Sequence, residues 1–280
     1  MIYLGLIGKG IQRSQMPGFQ EFLGEFAGFP VSYELFDSEL DPEFDLKKKL
    51  EALAAAGLTG VNITHPYKSE ACRCVTVFGS QPSALGAINT IVFDSNGWRG
   101  ENTDYSGFQS AFRARFRDKV PGTVLILGAG GVGCSLSFAL GKLGTSHLHL
   151  YDIKPERSED LARRLALAGF SVSVVKNNLI EVARGVSGLV NASPIGMYQY
   201  PGNPLPDTAI EGQDWAFEAV YTPKRTPFVD ALAARGVAVM GGFDLFIHQG
   251  LDAFEHFSGI RLDREDAVRA YLANCPQDER

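Results

Sequence analysis

Residues 123–133 read TVLILGAGGVG. An apolar β-like run ends in a glycine cluster, Gly128-Ala129-Gly130-Gly131-Val132-Gly133, which is G-x-G-x-x-G. Glycine is abundant in this chain, so the motif means little without its surroundings. Here a strand precedes it and a helix is predicted after it, over Cys134 to Leu143. The next strand, HLHLYD (147–152), ends in Asp152 about 20 residues on, the spacing of a dinucleotide-binding βαβ unit. The first glycine permits a tight turn, the second admits a pyrophosphate against the backbone, and the third lets helix and strand pack closely. The helix N-terminus supplies N–H groups and a positive dipole end to the anion. A carboxylate at Asp152 accepts from both ribose hydroxyls and repels a 2′-phosphate, which favours NAD; Lys154 and Arg157 follow closely and keep NADP open.

Outward from this unit, short β-like runs alternate with helical ones, which predicts α/β architecture with a mostly parallel sheet. Before it lie IYLGLIG (2–8), VSYELFD (31–37), GLTGVNIT (57–64) and GAINTIVFD (86–94). DPEFDLKKKLEALAAAG (41–57) reads as a helix between them, acidic at its start and closed by glycine. The turn cluster Asp94-Ser95-Asn96-Gly97 folds AINTIVFD back on WRGEN as a hairpin. After Asp152 come a helix (PERSEDLARRLALAG), the strands SVSVV, GLVNAS, DWAFEAV and VAVM, and a helical C-terminal stretch. No solenoid repeat or low-complexity segment is present.

The 280 residues suffice for two ordinary domains, and 21% charged residues mark a globular chain. A net charge of −6 argues against nucleic-acid or anionic-membrane partners, since no basic face offsets it. Lys47-Lys48-Lys49 reads as the wet side of a helix. No signal peptide or membrane span is recognisable. Cys72, Cys74, Cys134 and Cys275 form neither C-x-x-C nor a zinc spacing, which points to ordinary thiols in the cytoplasm. His147 and His149 alternate with leucines, as on a polar strand face, so no metal is expected. GLIGKGIQ (5–12) is not a phosphate loop, because Lys9 is followed by Gly10 rather than Ser or Thr.

GVNITHPYK (60–68) places a lysine in a telling position. Val61 and Ile63 make a buried strand, Pro66 stops it, and Lys68 falls just past its C-terminal end, the edge where ligands bind in open α/β sheets. GENTDYSG (100–107) places Asp104 where a helix begins after the hairpin. Asp104 can cap that helix. It can equally pair with Lys68 for proton transfer, since oxidising a carbinol by hydride loss requires a base for the hydroxyl proton.

These stretches, together with GAINT (86–90), ILGAGGVG (126–133), NASPIGM (191–197), AVYTPKRTPFV (219–229) and GGFDLFIHQGLDAF (241–254), resemble the shikimate dehydrogenase family over nearly the whole chain. The resemblance implies a substrate-binding α/β domain (1–104), a Rossmann-type dinucleotide domain (105–241) and C-terminal helices (242–280) returning to the first. It implies reversible NAD(P)-dependent interconversion of 3-dehydroshikimate and shikimate, or of quinate or a related ring hydroxy acid, within aromatic amino acid biosynthesis. Lys68 and Asp104 would be the catalytic pair. Ser14, Met16, Thr64, Asn89, Tyr221 and Gln249 fall at substrate positions. Ala192, Ser193, Val220 and Gly242 would join the glycine loop in holding the cofactor. A non-catalytic dinucleotide sensor on the same fold is the alternative, as monomer or homodimer in either case.

The pattern breaks at one place. The family's carboxylate-binding motif is Ser-x-Ser-Pro or Ser-x-Thr-Pro, whereas this chain reads Ser14-Gln15-Met16-Pro17. Losing a hydrogen bond to a charged acceptor costs about 1.5–3 kcal/mol. Gln12, Arg13 or Gln15 would have to compensate, or the substrate differs there, or shikimate is a poor substrate. Leu245, where methionine is expected, is a milder change.

Overall fold

The computed structural model describes residues 1–79, 81 and 83–274, so Cys275 and the last residues of the C-terminal segment lie outside the described residues. The chain forms two compact units, Met1–Gly107 with Ile247–Arg280, and Phe108–Phe246.

The first unit opens with β1 (Ile2–Gly8), α1 (Met16–Ala27), β2 (Val31–Asp37), α2 (Leu46–Ala55) and β3 (Gly60–Ile63). It continues with α3 (Lys68–Ala71), β4 (Val77–Phe78), β5 (Thr90–Val92), β6 (Arg99–Glu101) and the start of α4 (Thr103–Phe116). Its sheet has the order β2-β1-β3-β5-β6-β4. β2, β1 and β3 run parallel, and the β5–β6 hairpin joins antiparallel to β3. Ile7, Leu50, Val61, Ile63, Ile88 and Ile91 form a core beneath it.

Three elements differ from the sequence reading. α2 begins at Leu46 rather than at Asp41, because Asp45 is the residue whose carboxylate accepts the Lys48 N–H as cap. The run 86–94 contributes only Thr90–Val92 as a strand, although the Asn89 backbone still bonds Ile63 and Glu101 on either side. The helix expected from Cys134 starts three residues earlier, on the glycines themselves.

The second unit contains β7 (Thr123–Leu127), α5 (Gly131–Lys142), β8 (His147–Tyr151), α6 (Pro155–Leu167), β9 (Val172–Val174), α7 (Leu179–Gly185) and β10 (Gly188–Asn191). β11 (Trp215–Glu218), α8 (Pro227–Ala233), β12 (Ala238–Gly241) and the start of α9 (Gly242–Ser258) complete it. All five strand pairings in the order β12-β11-β10-β7-β8-β9 are parallel. Strand order therefore reverses between β7 and β10, the switch point at which such sheets bind ligands.

α10 (Arg264–Asn274) returns to the first unit, where Tyr271 packs on Phe19 and Phe22 of α1. Within that unit α4 and α9 meet backbone to backbone at Gly107, where a Cβ would lie 2.6 Å from the Gln249 Cα. One turn on, the Ser106 hydroxyl donates to the Asp252 carboxylate, which Arg264 also pairs with. Alanine gains about 1 kcal/mol over glycine in helix propensity. Forcing two packed helices apart costs about 1–3 kcal/mol. Gly107→Ala is therefore expected to lower stability by about 1 kcal/mol net, read as a fall in the urea midpoint at unchanged slope.

Candidate active site

β3 ends at Ile63, and Thr64 to Tyr67 form a turn that delivers Lys68 as the first residue of α3. Its backbone is fixed by the Ile88 N–H, which donates to the Lys68 carbonyl at 2.8 Å. Asp104 lies in the first turn of α4. Asn102 accepts the Tyr105 N–H at 2.9 Å and serves as the cap, which leaves the Asp104 carboxylate unspent. Lys68 Nζ donates to Asp104 Oδ2 at 2.6 Å, with the two side chains only 15% and 9% exposed.

Beside this pair runs a chain of buried polar groups. Asn89 Oδ1 accepts from the Thr103 N–H at 2.7 Å, and Asn89 Nδ2 donates to Thr103 Oγ1 at 3.0 Å. Thr103 Oγ1 donates in turn to Gln249 Oε1 at 3.2 Å. On the other side Thr90 Oγ1 accepts from Asn62 Nδ2, and Asn62 Oδ1 accepts the Tyr33 hydroxyl at 2.8 Å. Burial pushes the Tyr33 hydroxyl well up, which keeps it a donor. The Thr103 N–H fixes the orientation of the Asn89 amide, because a flipped amide would face donor with donor, while the hydroxyls can turn to suit their partners. Thr103, the residue that joins Asn89 to Gln249, has no exposed surface and was not singled out from the sequence.

The loop after β1 leaves the same sheet edge, since β1 and β3 are parallel neighbours with Ile7 opposite Ile63. Asp37, at the end of β2, organises that loop by accepting from the Gly10 N–H, the Ile11 N–H and Gln12 Nε2. Burial alone would raise the Asp37 carboxyl, but the donors from Glu39, Gly10, Gln12 and Ile11 outweigh it and hold the carboxyl below its ordinary value. Ser14 Oγ accepts the Met16 N–H. The Met16 side chain is buried, with its sulfur facing Gln20 Nε2 at 3.6 Å. Thr64 is half-buried at the end of β3. Tyr221 belongs to the second unit, where its ring faces Phe246 at 6.3 Å and burial raises its hydroxyl.

In the second unit the glycine loop fits a dinucleotide pyrophosphate. Gly128 adopts φ +104°, and a Cβ at Gly133 would lie 2.0 Å from the Gly128 carbonyl oxygen, so both positions demand glycine. A Cβ at Gly130 would meet nothing within 4 Å, so the helix mouth is open. The first N–H bonded within α5 is that of Cys134, to Gly130, so the N–H groups of Gly131, Val132 and Gly133 have no helical acceptor. Asp152 lies at the end of β8, its Oδ2 accepting the Ala129 N–H at 2.7 Å and its Oδ1 the Lys154 N–H at 2.9 Å. Each oxygen keeps a lone pair for a ribose hydroxyl.

Across the sheet edge, Ala192 and Ser193 follow β10, Val220 follows β11 and Gly242 follows β12. A Cβ at Gly242 would sit 2.4 Å from the Ala219 carbonyl oxygen, so glycine is required for α9 to start there. Glu218, unnoticed in the sequence, ties these loops together: its carboxylate accepts from Asn191 Nδ2, the Val220 N–H and Thr226 Oγ1. Burial pushes this carboxyl up to about 7 against those donors. No group of three metal-binding side chains occurs among the described residues, and no described helix is long and apolar enough to cross a membrane.

Comparison with known proteins points to one family. Residues 6–91 match the family model for the shikimate dehydrogenase substrate binding domain. The chain is 34% identical to the quinate/shikimate dehydrogenase (NAD(+)) of Corynebacterium glutamicum strain R, over 97% of this chain and 98% of that one. It is 33% identical to the shikimate dehydrogenase (NADP(+)) of an Arthrobacter species, over 96% and 93%. Among solved structures, quinate dehydrogenase from C. glutamicum in complex with NAD superposes with a TM-score of 0.90 at 33% identity, covering 97% and 99%. Shikimate 5-dehydrogenase from Thermus thermophilus in complex with NADP(H) and shikimate gives 0.85 at 29% identity, covering 98% and 100%.

Asp37 supplies a test of how the first loop is held. Removing a carboxylate that accepts several buried donors costs about 1–3 kcal/mol, and Asp37→Ala should lower stability by that amount at pH 7. A depressed carboxyl contributes stability that is complete above the ordinary value of 3.8 and is lost as pH falls through the lower folded value. The gap between wild type and variant in urea unfolding should therefore be full at pH 7 and should close only below that ordinary value.

Proposed function

The chain belongs to the shikimate dehydrogenase family, and from that premise we propose that it oxidises a ring alcohol of shikimate, quinate or a close relative at the expense of a nicotinamide dinucleotide, reversibly. The observation that carries this reading is the Lys68–Asp104 contact at 2.6 Å, mostly removed from water, at a strand-end edge beside buried amide groups. In our reading residues 1–104 and 242–280 handle the ring and 105–241 hold the cofactor.

Lys68 exchanges the hydroxyl proton. For oxidation Nζ acts as the neutral amine: as the ketone forms it takes the proton that the oxygen loses and becomes the ammonium paired with Asp104, and in the reverse direction that ammonium gives the proton back. Asp104 holds Nζ in place and accepts from a neighbouring ring hydroxyl with its second oxygen. Asn89, Gln249 and Thr64 hold the remaining hydroxyls. The Thr103 N–H fixes the Asn89 amide before substrate arrives, so little ordering of it is needed on binding. The dinucleotide, when bound, supplies the hydride acceptor. The N–H groups of Gly131 to Gly133 would hold its pyrophosphate, and Ala192, Ser193, Val220 and Gly242 would line its nicotinamide end.

We infer NAD as the preferred cofactor. Asp152 presents a fixed negative carboxylate where a 2′-phosphate would sit, and the NAD(+) enzyme of C. glutamicum is 34% identical. Lys154 and Arg157 leave NADP a weaker alternative. The dinucleotide-sensor alternative finds no support, since the similar proteins are dehydrogenases by name. Charge, thiols and fold fit a cytoplasmic monomer or homodimer acting on a small molecule.

Initial rates of nicotinamide reduction with shikimate and quinate, each with NAD⁺ and NADP⁺, test the reading. Turnover of at least one acid with preference for NAD⁺ is expected, and no turnover with any pair would overturn it. A second expectation concerns the carboxylate end. Met16 carries no donor for an anion, so Met16→Ser should lower KM for shikimate by about tenfold, the scale of one charged hydrogen bond, with kcat little changed.

A further inference from the structure

Glu218 ends β11 and stands in register with Asn191 of β10 and Gly241 of β12. It is 1% exposed. Oε1 accepts from Asn191 Nδ2 at 2.8 Å and from the Val220 N–H at 2.9 Å, and Oε2 accepts from Thr226 Oγ1 at 2.8 Å. Asn191 passes the constraint on, donating to the Ile195 carbonyl and accepting from the Ser193 N–H and hydroxyl. Thr226 also caps α8 by accepting the Val229 N–H.

Among the described residues no cation pairs with this carboxylate. Among the charged groups on the surrounding segments, Arg225 pairs with Asp230 of α8, and Lys224 lies over the Phe243 ring. Asp244 accepts the Gly241 N–H, and Tyr221 faces Phe246. β7, β10 and β12 carry no titratable side chain. Glu218 takes part in no ion pair among the described residues.

The hydrogen bonds alone do not require a charge. A glutamine would offer one oxygen to Asn191 and Val220, and its amide nitrogen could donate to Thr226 Oγ1, which has a second lone pair. Burial without a cation favours the neutral carboxyl, and a positive charge brought near it would favour the carboxylate. A dinucleotide with its pyrophosphate at α5 and one ribose at Asp152 would extend its other half over the ends of β10, β11 and β12, where Glu218 sits. The oxidised nicotinamide ring is a cation and the reduced ring is neutral.

We propose that Glu218 is a positioning residue whose uncompensated charge makes this site bind the oxidised dinucleotide in preference to the reduced one. This rests on the dehydrogenase reading above. Hydride transfer, which carries two electrons to the ring, abolishes the ring's positive charge and with it the attraction, so the reduced dinucleotide is released more readily. The raised Glu218 carboxyl makes the preference titratable near neutral pH. The oxidised form binds tightly where the carboxylate is ionised and less tightly as pH falls through about 7, while the reduced form is indifferent.

Equilibrium titrations of the full chain with NAD⁺, NADH, NADP⁺ and NADPH at pH 6 and 8.5 test this, using wild type, Glu218→Gln and Glu218→Asp, with melting temperature as a check on folding. For the dinucleotide pair that binds, wild type should favour the oxidised form about fivefold to tenfold more at pH 8.5 than at pH 6, the scale of one unit charge in a partly polar medium. Glu218→Gln should show the low-pH ratio at both pH values, and Glu218→Asp should keep the pH dependence. A wild-type ratio that does not change with pH would overturn the proposal, even if the glutamine variant fails to fold. Equal loss of affinity for both redox forms in Glu218→Gln would also overturn it, leaving a structural hub only. Binding of none of the four by wild type would instead bring down the dinucleotide reading on which it rests.

Discussion

A lysine ammonium and an aspartate carboxylate held at 2.6 Å, largely away from water, form the interaction around which the first unit is arranged. Such a pair persists only if both backbones are fixed before the side chains meet, because neither tolerates burial alone. Lys68 is fixed by the strand that ends before Pro66 and by the Ile88 N–H on its carbonyl. Asp104 is fixed by α4, whose cap is Asn102 and whose approach to α9 depends on the missing Cβ of Gly107. That approach also brings Gln249 within reach of Thr103. One helix crossing thus positions a charge pair and an amide together.

The two units use different electrostatic devices. The first sets the Lys68–Asp104 ion pair beside neutral amide and hydroxyl groups held by their neighbours. In the proposed reading the second offers a helix N-terminus for the pyrophosphate, a carboxylate at Asp152 and a buried carboxylate at Glu218. A chain of net charge −6 can still receive an anionic cofactor, because the α5 N-terminus acts locally through unpaired N–H groups. The Met16 side chain, buried against Gln20, contributes to the core.

How much could be read from residues alone follows from how local each requirement is. The glycine loop was legible because tight turns and close backbone approach are demanded within a few residues, and Asp152 because it ends the next strand. Lys68 was legible because Pro66 must end a strand. Asp104 was ambiguous: Asn102, Thr103 and Asp104 are all competent caps, and only the Tyr105 N–H bond to Asn102 resolves them. Asp37 and Glu218 were invisible because they act on partners far along the chain, Ile11 and Asn191, and an acidic residue at a strand end looks like any solvated one. Thr103 passed as a helix-start residue for the same reason. The helix placed from Cys134 starts at Gly131 because glycine's poor propensity is overridden where its N–H groups and close packing are needed.

The most direct test of the account is single-turnover hydride transfer in Lys68→Ala, measured beside its dinucleotide affinity. General acid–base groups contribute about 10²–10⁴ in rate. The account predicts a fall of that size in the hydride-transfer rate with dinucleotide affinity within about twofold of wild type, since Lys68 belongs to the first unit and the glycine loop to the second. Turnover near the wild-type rate in the folded variant would contradict it and would remove Lys68 from the chemistry.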